Sequence, residues 1–144
     1  MLKLSKLLCI LNCLVLFSGC ATPYQKQTWY SYTGGYSDLK LSNNSFAITF
    51  NGNALIDNDT SIDYALLRSA EISWLNGFKY FKIVENNYDT INNEMYDNVK
   101  NIFGKPSVIN IIYCYNERPI NDNGIFYDVS KIIKQIRKKY NIKK

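Results

Sequence analysis

Three side chains in the middle of the sequence are spaced to form a polar face on one helix. Arg68 follows Tyr64 by four residues and precedes Glu71 by three, so a helix would bring these side chains together. A guanidinium, a carboxylate and a phenol can bind a polar ligand, and Tyr36 and Asn53 from nearby loops would complete such a face. The same residues could instead form an ion-paired network that fixes the helix to a loop. The spacing predicts a candidate binding face and leaves both interpretations open, with the network preferred.

A second group of oxygen-bearing side chains precedes that helix, at Asp57, Asp59, Ser61 and Asp63. Their alternation imitates a calcium-binding loop. Such a loop needs glycine at its sixth position and glutamate at its twelfth, where this sequence has Ile62 and Arg68. Asp, Asn and Ser are also ordinary capping residues at the start of a helix. The pattern therefore indicates a helix cap, and we expect no metal ion and no cofactor.

The chain contains no histidine. This absence excludes serine–histidine and cysteine–histidine catalysis, histidine metal sites and a histidine pH switch. Cys114 lies in the apolar run 108–115, where a buried, unreactive thiol is expected. An enzyme that uses carboxylates such as Asp63 and Glu71 is a third-ranked alternative, because paired carboxylates need a defined separation across a cleft. We therefore expect a protein that is not an enzyme.

The beginning of the chain has the features of an export signal. Lys3 and Lys6 precede the mostly apolar residues 7–17, and Phe17-Ser-Gly-Cys20 follows. Eleven residues rise only about 16 Å as a helix, well short of the roughly 30 Å hydrocarbon core of a bilayer. The stretch from Phe17 to Cys20 resembles the bacterial lipobox, although phenylalanine stands where leucine is usual. The alternative is an ordinary secretion signal with a chance cysteine.

The lipobox resemblance implies that residues 1–19 are a signal peptide and that Cys20 becomes the lipid-bearing first residue. Two acyl chains are sufficient for stable attachment to a membrane. Ala21 stands where aspartate would favour the inner membrane, which implies the periplasmic face of the outer membrane. With Cys20 lipidated and two other cysteines in the signal, Cys114 is left without a partner for an intramolecular disulfide.

The segment that follows Cys20 is polar, lacks a clear period and contains Pro23 and two glycines. We interpret residues 20–35 as a lipidated N-terminus and tether, which could extend roughly 50 Å. Its aromatic residues could lie at the lipid interface or dock on the domain, with docking slightly favoured. These residues are Trp29, Tyr30 and Tyr32.

Residues 36–144 are predicted to form a single domain. Alternation at Phe46, Ile48 and Phe50 indicates a strand, which forms a hairpin with residues 39–41 across two asparagines. A helix is predicted over residues 61–76. Thr60 and Asp63 have the spacing of a capping box at its start, and Gly77 supplies its end.

The remaining elements are predicted from apolar runs and helical spacing. Strands are expected over residues 78–84 and 108–115, the second of them central because both its faces are apolar. A short helix is predicted over 91–102, and a last helix over 128–140 with its isoleucines facing inward. The order of elements predicts an α+β fold, a small, mostly antiparallel sheet of about four strands with two or three helices packed on one face.

Positive charge is concentrated in the basic C-terminal helix. Residues 131–144 carry seven lysines or arginines and no acid, whereas residues 20–130 have eight basic and twelve acidic residues, a net charge of −4. An exported protein meets no nucleic acid, so that partner is excluded. Anionic lipid or a cell-wall polymer is one interpretation of the charge. The preferred one is a packed amphipathic helix whose cations favour its own C-terminus.

Four short motifs between Cys20 and about Val84 resemble a family of small proteobacterial envelope lipoproteins of uncharacterised function. They are Gly34-Gly-Tyr-Ser-Asp38, Phe50-x-Gly-Asn53, Asp63-Tyr-Ala-Leu-Leu-Arg-Ser-Ala-Glu71 and Gly77-Phe-Lys-Tyr-Phe81. The resemblance implies an envelope lipoprotein, without an established activity, ligand or catalytic residue. We therefore expect a protein tethered to the outer membrane through Cys20 that acts as a non-enzymatic interaction or assembly factor. Its partner would be an envelope protein or the cell wall. The alternative is a periplasmic module that binds a small ligand or the cell wall.

Overall fold

The computed structural model describes residues 20–31, 33–86 and 107–143, which form one antiparallel sheet and two helices. The strands are β1 (Gly35–Lys40), β2 (Ser45–Asn51), β3 (Tyr80–Asn86), β4 (Ser107–Tyr115) and β5 (Tyr127–Asp128). The helices are α1 (Asn58–Leu75) and α2 (Val129–Tyr140). The five strands lie in the order β1-β2-β4-β3-β5. The predicted α+β fold is confirmed, with β5 as a strand that the sequence did not predict.

One face of the sheet carries the core. Phe46, Ile48 and Phe50 of β2 are buried, and in register with them lie the buried residues of β4, among them Val108 and Ile112. The alternation of β2 therefore points its apolar side chains to this face, and α1 packs against it. The prediction that residues 108–115 lie centrally is confirmed, since β4 is the third of the five strands.

The first helix begins earlier than predicted. Asp57 is its N-cap and accepts a hydrogen bond from the backbone N–H of Thr60 at 2.8 Å. The prediction that Thr60 is the cap was wrong, because the Asp57 carboxylate starts the helix earlier and accepts from the N–H of Thr60 itself. Gly77, with a φ of +82°, ends the helix as predicted, and the N–H of Phe78 donates to the carbonyl of Ser73 at 3.0 Å.

The second helix packs antiparallel to the first. Asp128 caps it by accepting from the N–H of Lys131 at 3.0 Å, and Val129 and Ile136 are buried. Two further isoleucines are partly buried against the core, so the predicted inward face is confirmed. The predicted helix over 91–102 lies outside the described residues. Neither described helix is both long and apolar enough to cross a bilayer.

The segment that follows Cys20 packs on the domain. Thr22 is buried, its N–H donates to Oδ1 of Asn53 at 3.3 Å, and its hydroxyl accepts from the N–H of Asn53 at 2.7 Å. Farther along, the N–H of Gln27 donates to the carbonyl of Tyr36 at 2.7 Å. The prediction of a free tether over residues 20–35 was therefore wrong. The packed chain begins at Thr22 rather than at residue 36, because polar side chains and backbone groups fix a segment that has no apolar period.

The exposed aromatic residues of this segment are also placed differently from the prediction. Trp29 is 95% exposed and Tyr30 is 60% exposed, and their rings contact each other. The expectation that they dock on the domain was wrong for these two residues, and Tyr32 lies outside the described residues. The docking is made by Tyr24, which packs against Tyr36 and Tyr64.

Candidate functional site

Three of the residues predicted for the candidate face meet around one guanidinium. Nε and Nη2 of Arg68 donate to Oδ1 of Asp38 at 2.9 and 2.6 Å. Nη1 of the same side chain lies 3.5 Å from Oε2 of Glu71. The guanidinium carbon also lies 4.4 Å from the centroid of the Tyr36 ring. Arg68 therefore joins α1 to β1 through a doubly bonded ion pair and a cation–π contact.

Glu71 is the centre of the same network. Its Oε1 accepts from Nη2 of Arg137 at 2.7 Å, and its Oε2 accepts from the hydroxyl of Tyr24. Burial, together with the bond to Glu71, raises the pKa of Tyr24, so the phenol stays protonated as the donor. This carboxylate holds α2 and the N-terminal segment to α1. We call the set Tyr24, Tyr36, Asp38, Arg68, Glu71 and Arg137 the ion-pair network.

The other two predicted residues lie elsewhere. Tyr64 belongs to the aromatic core, where its ring centroid is 5.3 Å from that of Phe50 and 5.1 Å from that of Tyr140. Asn53 lies two residues beyond the end of β2, and its Nδ2 donates to the carbonyl of Cys20 at 2.8 Å. The five predicted residues therefore do not form one binding face. The polar atoms of Arg68, Glu71 and Asn53 bond to other elements of the fold and to the N-terminal segment, as a structural network would have them.

Two carboxylates of the calcium-like pattern, which covers the cap and first turns of α1, bond to other groups of the protein. Both oxygens of the Asp57 carboxylate accept from Thr60, which lowers the pKa of Asp57. Oδ2 of Asp63 accepts from Nζ of Lys139 at 2.7 Å and from the hydroxyl of Tyr140 at 2.8 Å. Across the described ranges, no group of three or more acidic or cysteine side chains is placed to hold a metal ion. Asp57 therefore acts as a cap and Asp63 as a link to α2.

Cys114 lies on the inner face of β4 and is almost completely buried. Its sulfur lies 3.2 Å from the hydroxyl oxygen of Ser73 on α1. Burial raises the pKa of the Cys114 thiol, while the contact with Ser73 acts in the opposite direction. A protonated thiol under a helix is a poor nucleophile. Cys114 therefore serves in packing, as the sequence predicted.

An apolar groove lies between α1 and α2 on the surface of the domain. It has a volume of about 820 Å³, and Trp74, Ile133 and Ile142 supply apolar lining while Lys134 and Lys138 add positive charge. Apolar walls beside cations suit a ligand with an apolar body and an anionic group. We call this feature the interhelix groove. Sequence reasoning missed it, because its lining comes from two helices that are more than fifty residues apart.

Comparison of the chain with protein-family models, with curated proteins and with solved structures gives no significant match. The functional interpretation therefore depends on the chain's own residues. Three features contribute to it: the ion-pair network, the interhelix groove and the position of Cys20.

Proposed function

We propose that this protein is a lipoprotein of the bacterial envelope, anchored through lipid on Cys20 and facing the periplasm from the outer membrane. It acts there as a non-enzymatic interaction or assembly factor. The family resemblance of its motifs supports an envelope lipoprotein. The positively charged start, the short apolar run and the Ser-Gly-Cys sequence support export and lipidation.

The observation that carries this proposal is the position of Cys20 at the surface of the fold. Cys20 is exposed, whereas Thr22 is 2% exposed and hydrogen-bonded to Asn53. A modifying enzyme can reach an exposed thiol, and the folded domain begins immediately after it. The ion-pair network supports the non-enzymatic part, since Arg68 and Glu71 are used to join elements of the fold.

The Cys20→Ala variant tests the anchor. We expect the wild-type protein to incorporate radiolabelled palmitate and to stay with the membrane fraction until detergent is added. The variant should incorporate none and should be released without detergent. Cys114→Ala is the matched control, because it removes the buried thiol and leaves the lipid site intact. Labelling that persists in Cys20→Ala, or mature wild-type protein that begins at another residue, contradicts the proposal.

A second candidate function is binding of a small anionic amphiphile, the periplasmic ligand-binding alternative. The interhelix groove favours it through its volume of about 820 Å³ and its apolar lining. The carboxylate of Glu71 reaches the groove but is already paired with Arg137, so positive charge from the two lysines is left for a ligand.

Binding of a fluorescent fatty acid, dansylundecanoic acid, tests this candidate. We expect saturable binding to the wild-type protein and about tenfold weaker binding to the double variant Lys134→Glu, Lys138→Glu, about 1.4 kcal/mol in binding free energy. Lys131→Glu is the matched control, since this exposed lysine of α2 does not line the groove. Absence of saturable binding, or an equal loss in the control, counts against a ligand in the groove.

A further inference from the structure

Cys20, the residue proposed to carry lipid, is hydrogen-bonded directly to the domain, with no flexible linker between them. The carbonyl of Cys20 accepts from Nδ2 of Asn53 at 2.8 Å, and the next residue but one, Thr22, exchanges two hydrogen bonds with the same asparagine. Asn53 lies two residues beyond the end of β2. Acyl chains on Cys20 would therefore leave the protein beside this end of the sheet.

A turn with exposed aromatic residues lies at the same end of the sheet. Before the turn, Oε1 of Gln27 accepts from Nδ2 of Asn51 at 2.8 Å. After it, Gly34 packs against the backbone carbonyl of Asn51. Both ends of the turn thus contact the last residue of β2, and its tip is Trp29 and Tyr30. Asn51 and Asn53 are separated by at most about 7 Å of chain, so the ends of the turn and the backbone of Cys20 contact the same end of the sheet.

A third exposed apolar residue belongs to this end. Leu55 is 59% exposed, and its N–H donates to Oδ1 of Asn53 at 3.1 Å, the same side chain that holds Cys20. With Trp29 at 95% and Tyr30 at 60%, three large exposed side chains belong to segments that contact Asn51 or Asn53. We call Cys20, Trp29, Tyr30 and Leu55 the anchor end.

We propose that the anchor end lies directly on the bilayer and inserts Trp29, Tyr30 and Leu55 into its interface, so that the domain has a fixed orientation on the membrane. Tryptophan and tyrosine favour the boundary between headgroups and acyl chains, where the ring is buried and its polar atom stays hydrated. This inference rests on the proposed lipidation of Cys20. The bilayer is the occupant that the structure favours, because the acyl chains that enter it start within the same cluster of contacts.

The opposite end of the sheet provides a matched comparison. The loop over residues 116–126 follows β4 and contains Ile120, which is 97% exposed. Phe126, the last residue of this loop, packs against Tyr115 with ring centroids 5.4 Å apart. Both ends of the loop therefore lie at the Tyr115 end of β4. Tyr115 is the last of the nine residues of β4, and the first is Ser107, which pairs with Asn51 at the anchor end. Ile120 therefore equals Trp29 in exposure and differs from it in position.

Fluorescence quenching by brominated phospholipid tests the inference on lipidated, full-length protein reconstituted in phosphatidylcholine vesicles. The variant Trp74→Phe keeps Trp29 as its one tryptophan. The matched control is Ile120→Trp combined with Trp29→Phe and Trp74→Phe, which has its one tryptophan at the far end. We expect bromolipid to quench more than half of the Trp29 emission and to shift its maximum to shorter wavelength. The control tryptophan should be unaffected by bromolipid and quenched by aqueous iodide.

Flotation of the vesicles separates the two proposals. If the protein floats with the vesicles and Trp29 is quenched by iodide but not by bromolipid, the orientation is wrong while the anchor stands. Protection of Trp29 from both quenchers also overturns the inference, since it indicates a contact with a second copy. Equal quenching of Trp29 and the control by bromolipid overturns it as well, because the domain then has no fixed orientation. Wild-type protein that does not float at all contradicts the lipid anchor and this inference together.

Discussion

Replacement of Glu71 by alanine is expected to lower the free energy of unfolding by about 3 kcal/mol, the lower end of the range for breaking a buried ion pair. The Glu71 side chain is 10% exposed and faces Arg68, which is 13% exposed, and Arg137, which is 26% exposed. Without the carboxylate, two guanidinium groups would face each other with little solvent between them. The hydroxyl of Tyr24 would also lose its acceptor. Urea unfolding followed by tryptophan fluorescence measures the loss.

Two further variants make the interpretation specific. Glu71→Gln keeps the side-chain volume and an acceptor for Tyr24, so it should lower the free energy of unfolding by less than the alanine variant does. Lys139→Ala breaks the ion pair with Asp63, where the lysine side chain is 60% exposed, and should leave the unfolding midpoint unchanged within error. If Glu71→Ala is no more destabilising than Lys139→Ala, the ion-pair network is not structural. A stable Glu71→Ala protein that loses an envelope phenotype would return these residues to a binding role.

Gly34→Ala is expected to lower the free energy of unfolding by about 3 kcal/mol, through backbone strain and a steric collision. Gly34 has a φ of +96°, and a Cβ atom there would lie 2.1 Å from the carbonyl oxygen of Asn51. That oxygen cannot move away easily, because Asn51 is paired with Gly35 of β1 and with Ser107 of β4. The new methyl group should therefore push the N-terminal segment off the domain.

The glycine that ends α1 is the control for this substitution. Gly77 has a φ of +82°, and a Cβ atom there would meet nothing within 4 Å. Gly77→Ala should therefore lower the free energy of unfolding by the cost of backbone strain alone, about 1 kcal/mol. Urea unfolding gives both values, and tryptic cleavage after Lys26 reports release of the segment, which should be faster in Gly34→Ala alone. Equal losses and equal cleavage in the two variants would show that the contact with Asn51 does not fix the segment.

Much of the fold follows from local patterns in the sequence. Alternation at Phe46, Ile48 and Phe50 predicts β2 and its buried face, because a strand directs successive side chains to opposite sides. The four-residue spacing of apolar residues and Gly77 predict α1 and its end. The start of α1 was misplaced because Asp57 and Thr60 are both good caps, and tertiary placement decides between them. Strand β5 has two residues, too few for a periodic signal.

The candidate site was predicted less well, because its contacts join distant parts of the chain. The spacing of Arg68 and Glu71 predicts their own contact, but the partner of Arg68 lies thirty residues before it and that of Glu71 sixty-six residues after it. Tyr24 gave no sequence signal, since one tyrosine in a polar segment has no period. The sequence pointed to Asp38 only as the last residue of the Gly34–Asp38 motif, one of the motifs on which the family resemblance depends. Docking of the N-terminal segment was considered only through its aromatic residues, and the hydrogen bonds that hold it escaped prediction because bonds between distant polar groups leave no pattern in sequence.

The basic helix illustrates how one charge pattern can serve two purposes. Arg137 is paired with Glu71, and Lys139 with Asp63, so two of its cations join α2 to α1. Apart from the paired Lys139, the exposed lysines of the described part of this region are Lys131, Lys134, Lys138 and Lys143. Deletion of residues 137–144 would remove structural and exposed cations together. Substitution of the exposed lysines alone is the cleaner way to test attraction to anionic lipid.

If Cys20 carries lipid as proposed, the hydrogen bonds between Asn53 and residues 20–22 also limit how far this protein can act from the membrane surface. A lipoprotein with a long flexible linker after its lipidated cysteine can reach partners in a volume many times its own size. A domain of this length that is attached directly at Cys20 would extend only about 35 Å from its point of attachment. A binding partner would have to approach within that height, and its approach would always meet the same side of the molecule. Encounters with a binding partner would then depend on lateral diffusion in the plane of the membrane rather than on the motion of a flexible linker.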